Sequence, residues 1–341
     1  MLVWFLETLP QNQEKFGREI AGDSYKNYIV IRKYDFAYNK SATKQFPEGY
    51  ISMLGEYDIA AVPNSIFTCF RITGNESYPP FFDYLWHNNY HGHWLRKYIE
   101  VGARAHGALS VDTKHLWSMP LALPDFKEQQ KIADCLSSID ELIDAESRKL
   151  KALEKYKKGL MQKLFPAEGK TLPEWRFPEF QGCGEWKSKS IGKACKMFSG
   201  GTPDTSKKEF YGGTIPFIRS AEINKSSTEL FITEEGFKNS SAKMVKKGDI
   251  LIALYGANSG EVALSKIDGA INQAILCLRH ETNNVFVYHY FTHMKNWIIS
   301  KYIQGGQGNL SGQNIKSVNL YFPKAEEQQN IADFLSEIDT M

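Results

Sequence analysis

The sequence predicts a mixed α/β protein in which a globular module followed by a long helix occurs twice. Three observations predict it. A helix-start motif is written at two places, shorter motifs from the modules recur in the same order, and the segment after the first helix start carries a coiled-coil seam. Leu121, Pro124, Glu128 to Gln130, Ile132 to Asp134, Leu136, Ser137, Ile139 and Asp140 recur 199 residues later, from Leu320 to Asp339. A repeat of this length means that one structural unit was duplicated.

The first module covers residues 1–120. Tyr28 to Phe36 and Ser65 to Ile72 are β-branched and aromatic runs bounded by turn residues, and predict strands. Pro80 to Ile99 reads as an aromatic-rich helix, followed by a polar loop from Gly102 to Ser110. Each part has a counterpart. Ile31-Arg32-Lys33-Tyr34-Asp35-Phe36 matches Val245-Lys246-Lys247-Gly248-Asp249-Ile250, an apolar residue, two cations, any residue, Asp and an apolar residue, at offset 214. Cys69-Phe70-Arg71 matches Cys277-Leu278-Arg279 at offset 208, and Lys97-Tyr98-Ile99 matches Lys301-Tyr302-Ile303 at offset 204. The offsets fall steadily, as loop insertions and deletions would make them.

Residues 121–165 form the first long helix. Asp125 and Glu128 stand as N-cap and third helical residue of a capping box. From Ile132 through Leu136, Ile139, Ile143, Glu146, Leu150, Leu153, Lys157, Leu160 and Leu164 the steps alternate four and three, the pattern of a coiled-coil seam. A helix of about forty residues is roughly 60 Å long. Residues 166–185 are a linker punctuated by Pro166, Pro173, Pro178, Gly169, Gly182 and Gly184. Residues 186–322 are the second module, with strands over Asp249 to Tyr255 and Ala270 to Leu278 and a helix over Val285 to Ile303. Its polar loops run from Ser199 to Gly213 and from Gly305 to Gly312. Residues 323–341 start the second long helix. Mapping one copy on the other leaves the first module short by about thirty N-terminal residues and the second helix by about twenty, so the repeat is expected to be truncated at both ends.

With 341 residues, 42% of them apolar, the chain is long enough for two or three cores. Its five cysteines are odd in number and free of any CxxC spacing, which argues against a disulfide framework and a zinc site and suits a cytoplasmic protein. No apolar run approaches a membrane span. The formal net charge of +2 is unevenly placed: residues 171–323 hold 18 Lys and Arg against 13 Asp and Glu, whereas residues 1–120 hold 12 of each. Only the second module leans basic.

The chain resembles the specificity subunits of type I restriction-modification systems. The resemblance rests on Ser199-Gly200-Gly201-Thr202-Pro203 with Tyr211-Gly212-Gly213-Thr214-Ile215-Pro216, on Pro-x-x-x-Glu-Gln-Gln-x-Ile-Ala-Asp at both Pro124 and Pro323, and on Leu164-Phe165-Pro166 followed by Arg176-Phe177-Pro178. It implies two globular target recognition domains joined by long antiparallel coiled-coil helices. Each domain would read half of a split sequence in double-stranded DNA. The helices would dock DNA adenine methyltransferase subunits and, through them, a restriction and translocase subunit.

Reading DNA needs polar side chains on loops for base edges and cations for phosphates. The loops supply Lys40, Ser41, Lys44, Arg104 and His106 in the first module, and Thr202, Ser206, Lys207, Lys208, Arg219, Ser220, Gln307, Asn309 and Ser311 in the second. Gln129, Gln130, Lys131, Glu141 and Arg148 are expected on the outer face of the first helix, as methyltransferase contacts. An uncovered seam would also recruit a second copy of the chain. No catalytic residue, metal ligand set or cofactor is expected. Ser77-Tyr78-Pro79-Pro80-Phe81 lacks the Asn or Asp of a methyltransferase core and reads as a Pro-initiated helix, and there is no Walker loop. His87 with His91, and His289 with His293, stand four apart but lack a third ligand. The alternatives are a coiled-coil adaptor without DNA contact and a silent, truncated specificity subunit.

Overall fold

A computed structural model describes residues 26–63, 66–99, 104–105, 108–109, 111–256, 258–302 and 309–341. The chain forms two compact units, Met1–Glu146 and Ser147–Met341, divided within the long helix.

The first unit contains β1 (Ile29–Arg32), β2 (Phe36–Asn39), β3 (Tyr50–Met53), β4 (Ile59–Val62), β5 (Phe67–Phe70), α1 (Pro79–His87), α2 (Tyr90–Leu95), β6 (Arg104–Ala105), β7 (Ala108–Leu109), α3 (Thr113–Trp117) and the start of α4 (Phe126–Leu164). The single strand expected over Tyr28 to Phe36 is two strands in two sheets: β1 pairs with β4, and β2 lies between β3 and β5. The chain turns between them, where Asp35 N donates to Arg32 O at 2.8 Å and Tyr34 takes φ of 72°. The single helix expected over Pro80 to Ile99 is likewise broken, at Asn89 with φ of 58°, since Asn is among the few side chains that enter the left-handed region readily. Phe36, Tyr38 and Ile51 from the sheet pack with Phe81, Phe82 and Trp86 of α1 and Ala133 of α4.

The second unit continues with β8 (Lys187–Ser190), α5 (Ile191–Ala194), β9 (Cys195–Ser199), β10 (Tyr211–Ile218), β11 (Phe231–Ile232), α6 (Glu234–Lys238), β12 (Lys243–Val245), β13 (Ile250–Ala253), β14 (Val262–Leu264), β15 (Gly269–Ile271), β16 (Ile275–His280), α7 (Asn284–Tyr302), α8 (Gly312–Ser317), β17 (Asn319–Phe322) and α9 (Ala325–Thr340). Its sheets run β14-β13-β16-β9, β11-β10-β15-β12 and β17-β8. The run expected as one strand from Ala270 to Leu278 is split into β15 and β16.

The repeat holds at the level of register. Phe36 pairs with Met53 and Phe70 as Ile250 pairs with Leu264 and Leu278, and Ile31 pairs with Ala60 as Val245 pairs with Gly269. In each unit the two short motifs close on one another: Arg71 Nη2 donates to Asp35 at 2.8 Å, and Arg279 Nη2 to Asp249 at 2.6 Å. Both Asp residues are buried and also cap the turn before them, accepting from Arg32 N at 2.8 Å and Lys246 N at 2.7 Å. The position that the sequence pattern left free is the left-handed residue of this turn, Tyr34 in one copy and Gly248 (φ 89°) in the other.

The long helices are covered unevenly. Asp125 caps α4, its carboxylate accepting from Glu128 N at 2.9 Å. In the second unit α9 runs antiparallel to the end of α4: Lys157 pairs with Asp339 at one end, and Arg176, in the linker, donates two 2.7 Å hydrogen bonds to Glu327 at the other. Between them Ile331, Leu335 and Ile338 are buried with Met161, Leu164 and Phe165. The equivalent residues at the start of α4 are uncovered in the first unit, with Ile139 47% exposed. The seam expected along the whole of α4 is therefore filled only toward its C-terminal end.

Arg219, expected as a DNA contact, is tied into the second unit. It holds the buried Glu222 at 2.8 Å and Glu229 at 2.7 Å, and Thr228 donates to Glu222 at 2.9 Å. The Arg219 guanidinium lowers the Glu222 carboxyl from an ordinary 4.5 to about 2, against the opposing effect of burial.

Two outcomes are expected. A left-handed conformation costs a Cβ-bearing residue more than glycine loses in chain entropy, so Tyr34→Gly should stabilise the first unit by about 0.5–1 kcal/mol in denaturant unfolding. Glu222 has a depressed folded-state pKa, so its contribution is fully present above its ordinary value and is lost as pH falls from about 4.5 toward about 2. Glu222→Gln should flatten the pH dependence of thermal melting in that window.

Candidate nucleic-acid interface

In the second unit the loop after β9 is built by two close backbone approaches. A Cβ on Gly200 would stand 1.7 Å from Ile271 O, and one on Gly201 2.7 Å from Ser241 Cβ, so both positions must be glycine for the loop to lie against β15 and the segment before β12. Tyr211 donates to Pro203 O at 2.7 Å and pins the loop from the far side. Between these anchors, Asp204 accepts from Ser206 N at 3.0 Å and from the Ser206 hydroxyl at 2.8 Å, contacts that hold its carboxyl below the usual range. The geometry leaves Thr202, Ser206, Lys207 and Lys208 exposed on one rigid loop. Lys207 lies over the Phe210 ring at 4.9 Å, and neither it nor Lys208 forms an ion pair with a described residue.

Thr202 donates to Gln273 Oε1 at 2.9 Å, which brings the β15–β16 turn beside the loop. Gln273 escaped the sequence reading; its signal was the Asn272-Gln273 interruption of the apolar run from Ala270 to Leu278. Asn309 is exposed, and Leu310 N donates to Leu254 O at 2.9 Å, which fixes the segment leading into α8. Ser311 caps α8, accepting from Asn314 N at 3.1 Å. Ser220 begins the helical turn that Arg219 and Glu222 close. Gln307 lies outside the described residues.

In the first unit Lys40 O accepts from Leu109 N at 2.8 Å, so the β6–β7 pair that carries Arg104 sits beside Lys40 and Ser41. Lys44 is exposed in the following turn, and Ser41 N donates to Asn39 Oδ1 at 2.9 Å. His106 lies outside the described residues.

Among the residues expected on the outer face of α4, Lys131, Glu141 and Arg148 are exposed and Gln130 is half-buried. Gln129 is a correction: it is buried. Its amide accepts from Tyr78 N at 3.0 Å and donates to Glu76 O at 3.0 Å and Pro124 O at 2.9 Å. Gln328 repeats the last contact, donating to Pro323 O at 2.9 Å, so the paired glutamines lock the chain entering each helix. His91 and His289 are buried, His91 Nε2 lying 3.3 Å from Gly49 O and His289 Nε2 3.5 Å from Ser336 Oγ. No group of three or more His, Cys, Asp or Glu is arranged to hold a metal among the described residues, and none of their helices is long and apolar enough to cross a membrane.

The family model described as the type I restriction modification DNA specificity domain matches residues 23–155 and 184–341, one match for each copy of the repeat. The putative type I restriction enzyme MjaX specificity subunit of Methanocaldococcus jannaschii is 28% identical over 252 residues, covering 71% of this chain and 57% of that protein. The EcoR124I/EcoR124II specificity subunit of Escherichia coli is 30% identical over 169 residues, covering 46% of this chain and 42% of that protein. The chain thus spans about half the length of these relatives. The crystal structure of the type I restriction-modification S subunit from M. genitalium has the same fold, with a TM-score of 0.63 at 16% identity over 91% of this chain and 77% of that one. With both copies of its repeat matched, the chain belongs to the type I restriction-modification DNA specificity domain family.

Proposed function

We propose that this chain is the non-catalytic DNA-recognition subunit of a type I restriction-modification complex, reading a bipartite target and docking DNA adenine methyltransferase subunits. The observation that carries this reading is the duplicated module. Each copy presents exposed lysines on anchored polar loops, Lys44 in one and Lys207 and Lys208 in the other, on a framework of the same strand register. Two such readers in one chain match a target of two half-sites. The lysines contact phosphates, while Thr202, Ser206 and Asn309 are the candidates for base edges. Arg219 is better understood as the residue that holds the Glu222 turn in place. A helix of about 60 Å equals roughly 18 base pairs at 3.4 Å each, the scale of two half-sites and a spacer. Lys131, Glu141 and Arg148 on α4 are the proposed methyltransferase contacts. A restriction and translocase subunit would join through the methyltransferase.

The exposed seam on α4 favours self-association through the helices as well. Ile331, Leu335 and Ile338 are buried in the second unit, whereas Ile132, Leu136 and Ile139 at the equivalent positions of the first are at least 36% exposed. An apolar stripe of this kind is a ready interface for a matching helix.

Coexpression with the neighbouring methyltransferase subunit, followed by a base-resolution map of N6-methyladenine in the host genome, tests the first reading. A split motif of two short blocks at fixed spacing is the expected result. A palindromic split motif would assign reading to one module acting in a dimer. No new methylation with the complex intact would mean a silent subunit, and loss of the complex as well would favour an adaptor. For the seam, replacing Ile139 and Ile143 with Asp should abolish assembly in sedimentation with little change in melting temperature, because both are exposed. Unchanged assembly would refute it.

A further inference from the structure

Beside β9, the edge strand of the β14-β13-β16-β9 sheet, a cleft of about 420 Å³ opens between the strand and α8. Lys196 reaches it from β9, Lys316 and Gln313 reach it from α8, and Gly192, Gly312 and the apolar Cys195, Met197, Phe198 and Leu276 complete its walls. No carboxylate lines it. Lys196 and Lys316 are exposed, and neither forms an ion pair with a described residue. The nearest cation across the strand ladder is Arg279, opposite Lys196, and Asp249 already neutralises it.

Lys316 is seated rather than free. Its stem lies on the Gly192 backbone, where a Cβ would stand 2.4 Å from Lys316 Cγ and 3.1 Å from its Cε. A concave wall with two uncompensated ammonium groups and one amide selects an anionic occupant. Ammonium groups act as compact point charges, a role in which lysine is a common phosphate binder. The cleft also begins at Gly312, three residues beyond Asn309, a proposed base contact.

We propose that this cleft seats phosphates of the DNA backbone, with Lys196 and Lys316 as positioning residues that fix the register in which the Asn309 segment meets its half-site. The proposal rests on the DNA-reading function above. Phosphate contacts set affinity and register without carrying sequence information, and this dictates the test. The complex with its methyltransferase is titrated with duplex DNA bearing the methylated motif between about 50 and about 200 mM salt. Each lost phosphate contact lowers the steepness of log K against log salt by about 0.9, so Lys196→Ala with Lys316→Ala should lower it by about 1.8. The advantage of the wild type should then shrink about 12-fold across that range. The methylated motif should stay the same, and Lys196→Arg with Lys316→Arg should restore most of the slope. Gly192→Val, which displaces the Lys316 stem, should cost about half as much slope as the double variant.

A wild-type slope retained by the double alanine variant overturns the proposal. So does a changed motif, which would make the lysines base readers. Loss of a protein partner with the slope intact would assign the cleft to an acidic protein surface instead. A wild-type complex without salt-dependent DNA binding removes the recognition function itself, and this proposal with it.

Discussion

The ion pair between a turn-capping Asp and a strand-end Arg is the interaction on which each module depends. Asp35 and Asp249 accept from the backbone of the turn before their strand and from an Arg at the end of the strand paired directly with it in the sheet. A buried carboxylate must be paired and hydrogen-bonded, because desolvation is expensive, and such pairs are weak sources of net stability. What the clasp supplies is register. If either strand slipped by one residue, the Arg would point to the other face and the Asp would be left charged and unpaired. The clasp therefore fixes where the loops leave the sheet, and those loops carry the exposed lysines and hydroxyls.

The copies differ where the chain gives one of them something to pack against. Glu327 is buried beneath Arg176 and Trp186, and Phe322 is buried in β17, paired with β8. Glu128 is exposed in the first unit, and no described strand pairs with residues 120–123, which form none. The same residues thus form a closed corner in one copy and an open one in the other. Sequence equivalence sets what a segment can bind; its neighbours decide whether it does. The open corner runs straight into the exposed apolar stripe of α4.

The second module also concentrates the features suited to a polyanion. Its basic lean, the glycine-anchored loop after β9 and the acid-free cleft lie within one unit. Asp249 is paired with Arg279, whereas Lys196 and Lys316 form no ion pair with a described residue. The 18 Lys and Arg against 13 Asp and Glu of residues 171–323 give this unit a positive charge even though the whole chain carries only +2.

The sequence by itself determined the duplication, the strong start of α4 at Asp125 and the recurring motifs that hold the Asp and the Arg of each clasp, because repeats and caps are local or periodic signals. Two motifs found independently, at offsets 214 and 208, prove to be the two halves of one ion pair. The left-handed turn hid in the position that differs most between copies, Tyr34 against Gly248, so one expected strand became two. Helix periodicity named the α4 seam correctly as apolar, yet could not say that only its end would be covered, since that depends on where α9 lies. Gln129 was misplaced for the same reason. A polar side chain on a surface pattern turns inward when backbone groups need it, and only the tertiary structure brings those partners within reach.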